Sequence, residues 1–129
     1  IMEERLADRL VQVGIRTRNK HQQEQADRFG VEVVTMQEWN DGRVFNFAEP
    51  LYVSVDLDAL DPAFAPGVSH REPGGLSSRQ LIDVIQRVRA TIIGADVVEC
   101  NPSLDSAGLT PWVAAKIVRE LAARILETD

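Results

Sequence analysis

The sequence predicts an α/β domain with a mainly parallel sheet that helices cover on both faces, a three-layer α/β/α arrangement. Short β-branched runs alternate along the chain with stretches whose apolar residues recur at helical spacing. The last strand-like run, at residues 91–98, is almost continuously apolar, which is typical of a strand buried on both faces of a parallel sheet. The chain has 129 residues and no internal repeat, so we expect one domain over residues 1–129.

The first part of the chain predicts a helix between two strands. Residues 3–10 have a helical pattern, and residues 11–16 form a short β-branched run. The polar, glutamine-rich stretch 19–29 predicts a helix that ends at Gly30, because glycine readily adopts the left-handed conformation of a helix C-cap. Residues 31–36 predict the next strand.

The second part of the chain predicts a strand, a crossover helix, a second strand and a closing helix. Residues 51–57 are strongly β-prone, and residues 77–90 carry apolar side chains at the helical period after a capping serine. Thr110 and Pro111 are predicted to open a helix that runs to residue 126. Because a crossover helix joins them, the strands at 51–57 and 91–98 should be parallel neighbours or near neighbours.

The composition restricts the partner and the compartment. Fourteen Lys and Arg against twenty Asp and Glu give a formal net charge of −6, which opposes binding to nucleic acid or to an anionic membrane and favours a cationic ligand. No apolar run approaches the roughly 18–20 residues of a membrane span, and no export leader is recognisable. The single cysteine, Cys100, cannot form an internal disulfide, so we expect a cytoplasmic protein.

Acidic side chains follow the predicted strand at 51–57. Asp56 and Asp58 are two residues apart, which places them on one face about 6.5–7 Å apart at the backbone if the strand continues. Carboxylate oxygens select hard cations such as Mg²⁺, Mn²⁺ or Ca²⁺, so the pair is a candidate metal site. The alternative is that these acids only cap the strand, and Asp61 before Pro62 is interpreted as a turn residue.

Two further candidates belong to the same edge of the predicted sheet. Glu99 ends the strand at 91–98 and can act as a metal ligand, a base, a bidentate partner of a guanidinium, or only a surface ion pair. His70 lies in the loop between the strands and can shuttle protons, contact substrate, or serve only as a surface polar group.

These segments resemble the ureohydrolase family of arginases and agmatinases. Residues 54–62, SVDLDALDP, are similar to the family's S-x-D-x-D-x-x-D-P signature, and residues 99–102, ECNP, to its E-x-N-P segment. The resemblance covers about residues 51–129 and implies the C-terminal half of an arginase-like fold. It implies that Asp56 and Asp58 bind a binuclear Mn²⁺ centre, and that Glu99 holds the guanidinium of a small cationic substrate. His70 falls in the loop that lines the substrate mouth and is the candidate catalytic residue.

The sequence also departs from the family pattern. The family's Gly-Gly-Asp-His and Asp-Ala-His-x-Asp metal segments are absent, so we expect a portion of a longer enzyme and an inactive 129-residue chain. The resemblance also implies a homo-oligomer. The leading hypothesis is hydrolysis of L-arginine to L-ornithine and urea, with agmatine or another guanidino acid as the alternative substrate. A phosphatase of the haloacid-dehalogenase type, which also places Asp-x-Asp at a strand end, remains open. So does an inactive structural module with an empty metal site.

Overall fold

Helices and parallel strands alternate along the chain, which confirms the α/β prediction. The computed structural model describes residues 1–127. The chain divides into two compact units, Ile1–Trp39 and the part from Asn40 onward, and each contains a two-stranded parallel sheet. The grouping of both units into one domain stays a prediction.

The first unit is a strand, helix and strand: β1 (Val11–Ile15), α1 (Lys20–Phe29) and β2 (Glu32–Thr35). The strands pair in parallel, as a helical crossover requires. Helix α1 begins with a capping box, in which the Asn19 side chain accepts a hydrogen bond from the Gln22 N–H and the Gln22 side chain accepts one from the Asn19 N–H, both at 2.9 Å. It ends at Gly30, whose φ of 64° confirms the predicted left-handed C-cap.

The prediction of a helix over residues 3–10 is wrong, because this segment contains turns and bends but no helix. Arg5 has a φ of 54°, which is incompatible with a right-handed helix at that point. None of the side chains from Ile1 to Leu10 is buried. A short helical pattern without tertiary packing is marginal in water, so helical spacing alone does not suffice here.

The second unit contains β3 (Leu51–Asp56), α2 (Ser78–Arg87), β4 (Ile92–Val98) and α3 (Leu109–Leu126), with 3₁₀ turns at Leu57–Ala59 and Pro102–Leu104. Strands β3 and β4 pair directly in parallel, which confirms the predicted neighbours. The core of this unit consists of apolar side chains from the strands, the helices and the segment after β3, among them Val55, Leu57, Leu60, Ile85, Ile92, Ile117 and Leu121.

Two helix boundaries differ from the predicted ones for tertiary reasons. Helix α2 ends at Arg87 rather than at residue 90, because the Arg89 backbone instead pairs with Phe45 and Phe47 at 2.8 and 2.9 Å. Helix α3 begins at Leu109 after Gly108, so Thr110 lies inside the first turn rather than at the cap.

Across residues 1–127, no helix is both long enough and apolar enough to cross a membrane.

Candidate metal and guanidinium site

Strands β3 and β4 end side by side, and this register brings the acidic residues together. Asp56 at the end of β3 is paired with Val98 at the end of β4. The chain then leaves β3 through the 3₁₀ turn, where the Asp56 carboxylate accepts a hydrogen bond of 2.8 Å from the Asp58 N–H. Because both strands run in the same direction, Asp58 and Glu99 emerge at the same edge, as predicted.

Glu99 has an unusual backbone conformation. Its φ of 64° lies in the left-handed region, where a side chain other than glycine is strained by about 1–3 kcal/mol. Strained residues of this kind cluster at functional sites, where the surrounding structure holds them in place. The conformation turns the chain immediately after β4, with the Glu99 side chain exposed.

The loop between Leu60 and Leu76 is closed at its base. These two leucines form a parallel bridge and are each 1% exposed. The Asp61 carboxylate accepts hydrogen bonds from the N–H groups of Ala63 (2.9 Å) and Gly74 (2.7 Å), which confirms its role as a turn residue. At Gly75 a Cβ atom would lie 2.6 Å from the Asp61 nitrogen, so only glycine allows this close approach.

Loop closure brings a third group to the acidic edge. One ligand atom from each of Asp58, His70 and Glu99 lies within 4.8 Å of the others. The Nδ1 atom of His70 is 3.1 Å from Oδ2 of Asp58, and the His70 N–H is 3.4 Å from Oδ1 of the same carboxylate. Carboxylate oxygens and imidazole nitrogens suit a divalent cation such as Mn²⁺, so the chemistry of the side chains at this edge fits the metal.

The four predicted site residues therefore have different positions. Asp58, His70 and Glu99 form one cluster, which we call the edge cluster. In the described part of the chain this cluster does not include Asp56, whose carboxylate bonds to the Asp58 backbone instead. The metal-ligand role of Asp56 stays a prediction. Sequence reasoning assigned His70 to catalysis and did not place it beside Asp58, because only the closure of the loop determines that contact.

A buried polar network connects the loop to the chain after β4, and sequence reasoning missed it. The Gly67 N–H donates to Oγ1 of Thr110 at 2.7 Å, and the Asn101 N–H donates to the Gly67 carbonyl at 2.7 Å. Thr110 is fully buried, and its own N–H donates to the carboxylate of buried Asp105 at 2.6 Å. This backbone hydrogen bond lowers the pKa of Asp105, assisted by the Thr110 hydroxyl and by further backbone N–H groups. The one signal in the sequence is an acid shortly before a helix.

The parallel strands and the edge cluster are accompanied by a match to a known family. A sequence model described as the arginase family matches residues 1–123, and the chain belongs to this family. The phosphatase alternative is not supported by this assignment.

Among individual proteins, the chain is similar to the mitochondrial arginase 1 of Arabidopsis thaliana, with 50% identity over 97% of this chain and 39% of that protein. An agmatinase of Halalkalibacterium halodurans is 46% identical over 55% of this chain and 26% of that protein. The chain therefore spans about two fifths of the length of the arginase that it matches.

Solved structures share the fold. The structure of arginase from Medicago truncatula superimposes with a TM-score of 0.91 and 47% identity, covering 97% of this chain and 42% of that one. A triple mutant of an arginase-like protein from T. brucei, bound with Mn²⁺, has a TM-score of 0.85 and 29% identity over 96% of this chain and 45% of that one. These superpositions confirm that the chain has part of the arginase-like fold.

The expectation of a cytoplasmic protein is wrong. Similar arginases of Arabidopsis thaliana and rice are named as mitochondrial, and a second Arabidopsis arginase as chloroplastic or mitochondrial. The cysteine count excludes only a structural disulfide, and it does not distinguish the cytoplasm from an organelle.

Proposed function

We propose that this chain carries part of the active site of a manganese-dependent hydrolase that releases urea from a guanidino substrate. The observation that carries the proposal is the edge cluster, in which two carboxylates and an imidazole converge within 4.8 Å at the end of two parallel strands. Ligand sites of open α/β sheets lie at this end of the strands. The net charge of −6 favours a cationic guest.

In this proposal the carboxylates bind two different cations, the metal ion and the guanidinium of the substrate. Asp58, together with Asp56, holds the metal, and Glu99 holds the guanidinium of the substrate. Asp58 is the better placed of the two aspartates, because its side chain is only 18% exposed and already faces His70. A divalent metal, when bound, lowers the pKa of water and so supplies the nucleophile for hydrolysis.

The side chains of this chain orient the substrate and handle its proton. A carboxylate and a guanidinium match as two parallel hydrogen bonds, so Glu99 fixes the plane of the substrate and exposes its central carbon to water. Addition of water to that carbon and cleavage of a carbon–nitrogen bond yield urea and an amine. The leaving amine needs a proton, and we assign its supply to His70, because the imidazole lies within 4.8 Å of the Glu99 carboxylate that holds the substrate in this proposal.

Arginase-type hydrolysis of L-arginine to L-ornithine and urea is the favoured reaction, since the similarity to arginase 1 extends over 97% of the chain. Agmatine is the second candidate, supported by similarity to an agmatinase over 55% of the chain. The two substrates differ at the end remote from the guanidinium, so the edge cluster suits either. Release of urea from each substrate by the longer protein distinguishes them.

Two substitutions test the division of roles. In the longer protein, titration calorimetry with Mn²⁺ should show weaker metal binding in Asp58→Ala, whereas Glu99→Gln should keep the metal and lose affinity for L-arginine. Asp83→Ala is the matched control, because Asp83 is a carboxylate of α2 that pairs with Arg79. Loss of Mn²⁺ binding in Glu99→Gln would overturn the assigned roles. Absence of Mn²⁺ binding in the unsubstituted protein would instead favour an empty structural module.

A further inference from the structure

We propose that Arg71 is a positioning residue that holds His70 in the edge cluster, an inference that rests on the proposed function. The Arg71 side chain donates two hydrogen bonds of 2.7 Å to backbone carbonyl groups. Its Nε atom donates to the carbonyl of Pro66, in the same loop, and its Nη2 atom donates to the carbonyl of Leu104, in the 3₁₀ turn after Glu99. One guanidinium thus connects the segment that carries His70 to the segment that follows Glu99.

The position of His70 depends on its backbone rather than on packing of its ring. The ring is 85% exposed, so few atoms other than those of the Asp58 carboxylate contact it. On the N-terminal side the loop is anchored by Gly67 and Val68, which are buried. At Gly67 a Cβ atom would lie 2.8 Å from Cβ of Asp105, so only glycine allows this close approach.

Arg71 supplies the anchor on the C-terminal side, immediately after His70. A further backbone anchor is the hydrogen bond from the Gly74 N–H to the Asp61 carboxylate. The residues from 71 to 74 are exposed and have no regular secondary structure, and such segments open at low free-energy cost unless tertiary contacts hold them. Removal of the Arg71 guanidinium therefore releases one of the contacts that keep His70 beside Asp58 and Glu99.

Only an arginine fits this arrangement well. Its N–H donors project from a rigid plane and reach two acceptors in fixed directions, whereas a lysine ammonium is a compact point charge on a flexible stem. Arg71→Lys keeps the charge, so it separates loss of the fixed geometry from loss of a positive charge.

The test is the broadening by Mn²⁺ of the histidine ring signals in the NMR spectrum of the full chain. Only two histidines are present, His70 and His21, so substitution of His21 leaves the His70 ring signals alone in the spectrum. Substoichiometric Mn²⁺ should broaden the His70 signals, whereas an equal concentration of diamagnetic Mg²⁺ should not. At equal metal occupancy, Arg71→Ala and Arg71→Lys should reduce the His70 broadening several-fold. Arg119→Ala, which removes an exposed arginine of α3, should leave it unchanged.

The outcomes separate this inference from the proposed function. Unchanged broadening of His70 in both Arg71 variants overturns the positioning role and leaves the metal site intact. Absence of His70 broadening by Mn²⁺ in the protein with native Arg71 overturns both. If Arg71→Ala fails to fold, as its amide spectrum would show, Arg71→Lys decides the question, because it retains the side-chain length and the charge.

Discussion

The buried hydroxyl of Thr110 offers the sharpest test of how the loop is held. Its Oγ1 atom accepts the hydrogen bond from the Gly67 N–H, and both residues are buried. Thr110→Val keeps the shape and the β-branched character of the side chain but removes this acceptor. Because threonine and valine have similar helix propensities, the substitution isolates the hydrogen bond.

The expected loss follows from the burial of the donor. A buried N–H group without an acceptor costs about 1–3 kcal/mol, so Thr110→Val should lower the free energy of unfolding by about 2 kcal/mol. Asp105 also loses the Thr110 hydroxyl as a donor, but three backbone N–H groups continue to bond to it. Thr110→Ser is the matched control, because it keeps the hydroxyl and loses only a methyl group worth about 0.8 kcal/mol.

Urea denaturation followed by circular dichroism measures the difference. For an m-value of about 2 kcal/mol/M, Thr110→Val should lower the urea midpoint by about 1 M, and Thr110→Ser by less than half of that. Hydrogen exchange at the Gly67 amide should accelerate in the valine variant. A valine variant that is as stable as the serine variant would refute the view that this hydrogen bond anchors the loop.

Two other predictions concern strain and protonation near the same edge. Glu99→Gly should raise the free energy of unfolding by about 1 kcal/mol, because glycine relieves the strain of the left-handed conformation at φ 64°. The same variant should lose binding of L-arginine. A glycine variant that is less stable than the parent in thermal unfolding contradicts this prediction. Asp105 has its pKa lowered from 3.8 in the folded state, chiefly by the hydrogen bond from the Thr110 N–H, so its charged form is favoured by folding. Its contribution to stability is thus complete above about pH 4 and is lost as the pH falls through the lowered pKa. Asp105→Asn should be less stable than the parent at pH 7, and the gap should narrow towards pH 2 in urea denaturation. A constant gap across this range would show that the Asp105 charge is not the cause.

Much of the fold follows from local pattern. The parallel pairing of β3 with β4 was predicted from a crossover helix between two apolar runs, and the end of α1 at Gly30 from the conformational freedom of glycine. The prediction failed over residues 3–10, where helical spacing is present but no side chain is buried. It also failed at the end of α2, where the Arg89 backbone pairs with a segment about forty residues earlier in the chain.

The candidate site was likewise predicted from the sequence only in part. Residue order along two strands was enough to bring Asp58 and Glu99 to one edge, since the direction and register of parallel strands determine where their ends lie. The approach of His70 to Asp58 and the hydrogen bond between Gly67 and Thr110 depend on loop closure over long sequence separations. Such contacts have no period or local propensity to reveal them, so only the tertiary structure decides them.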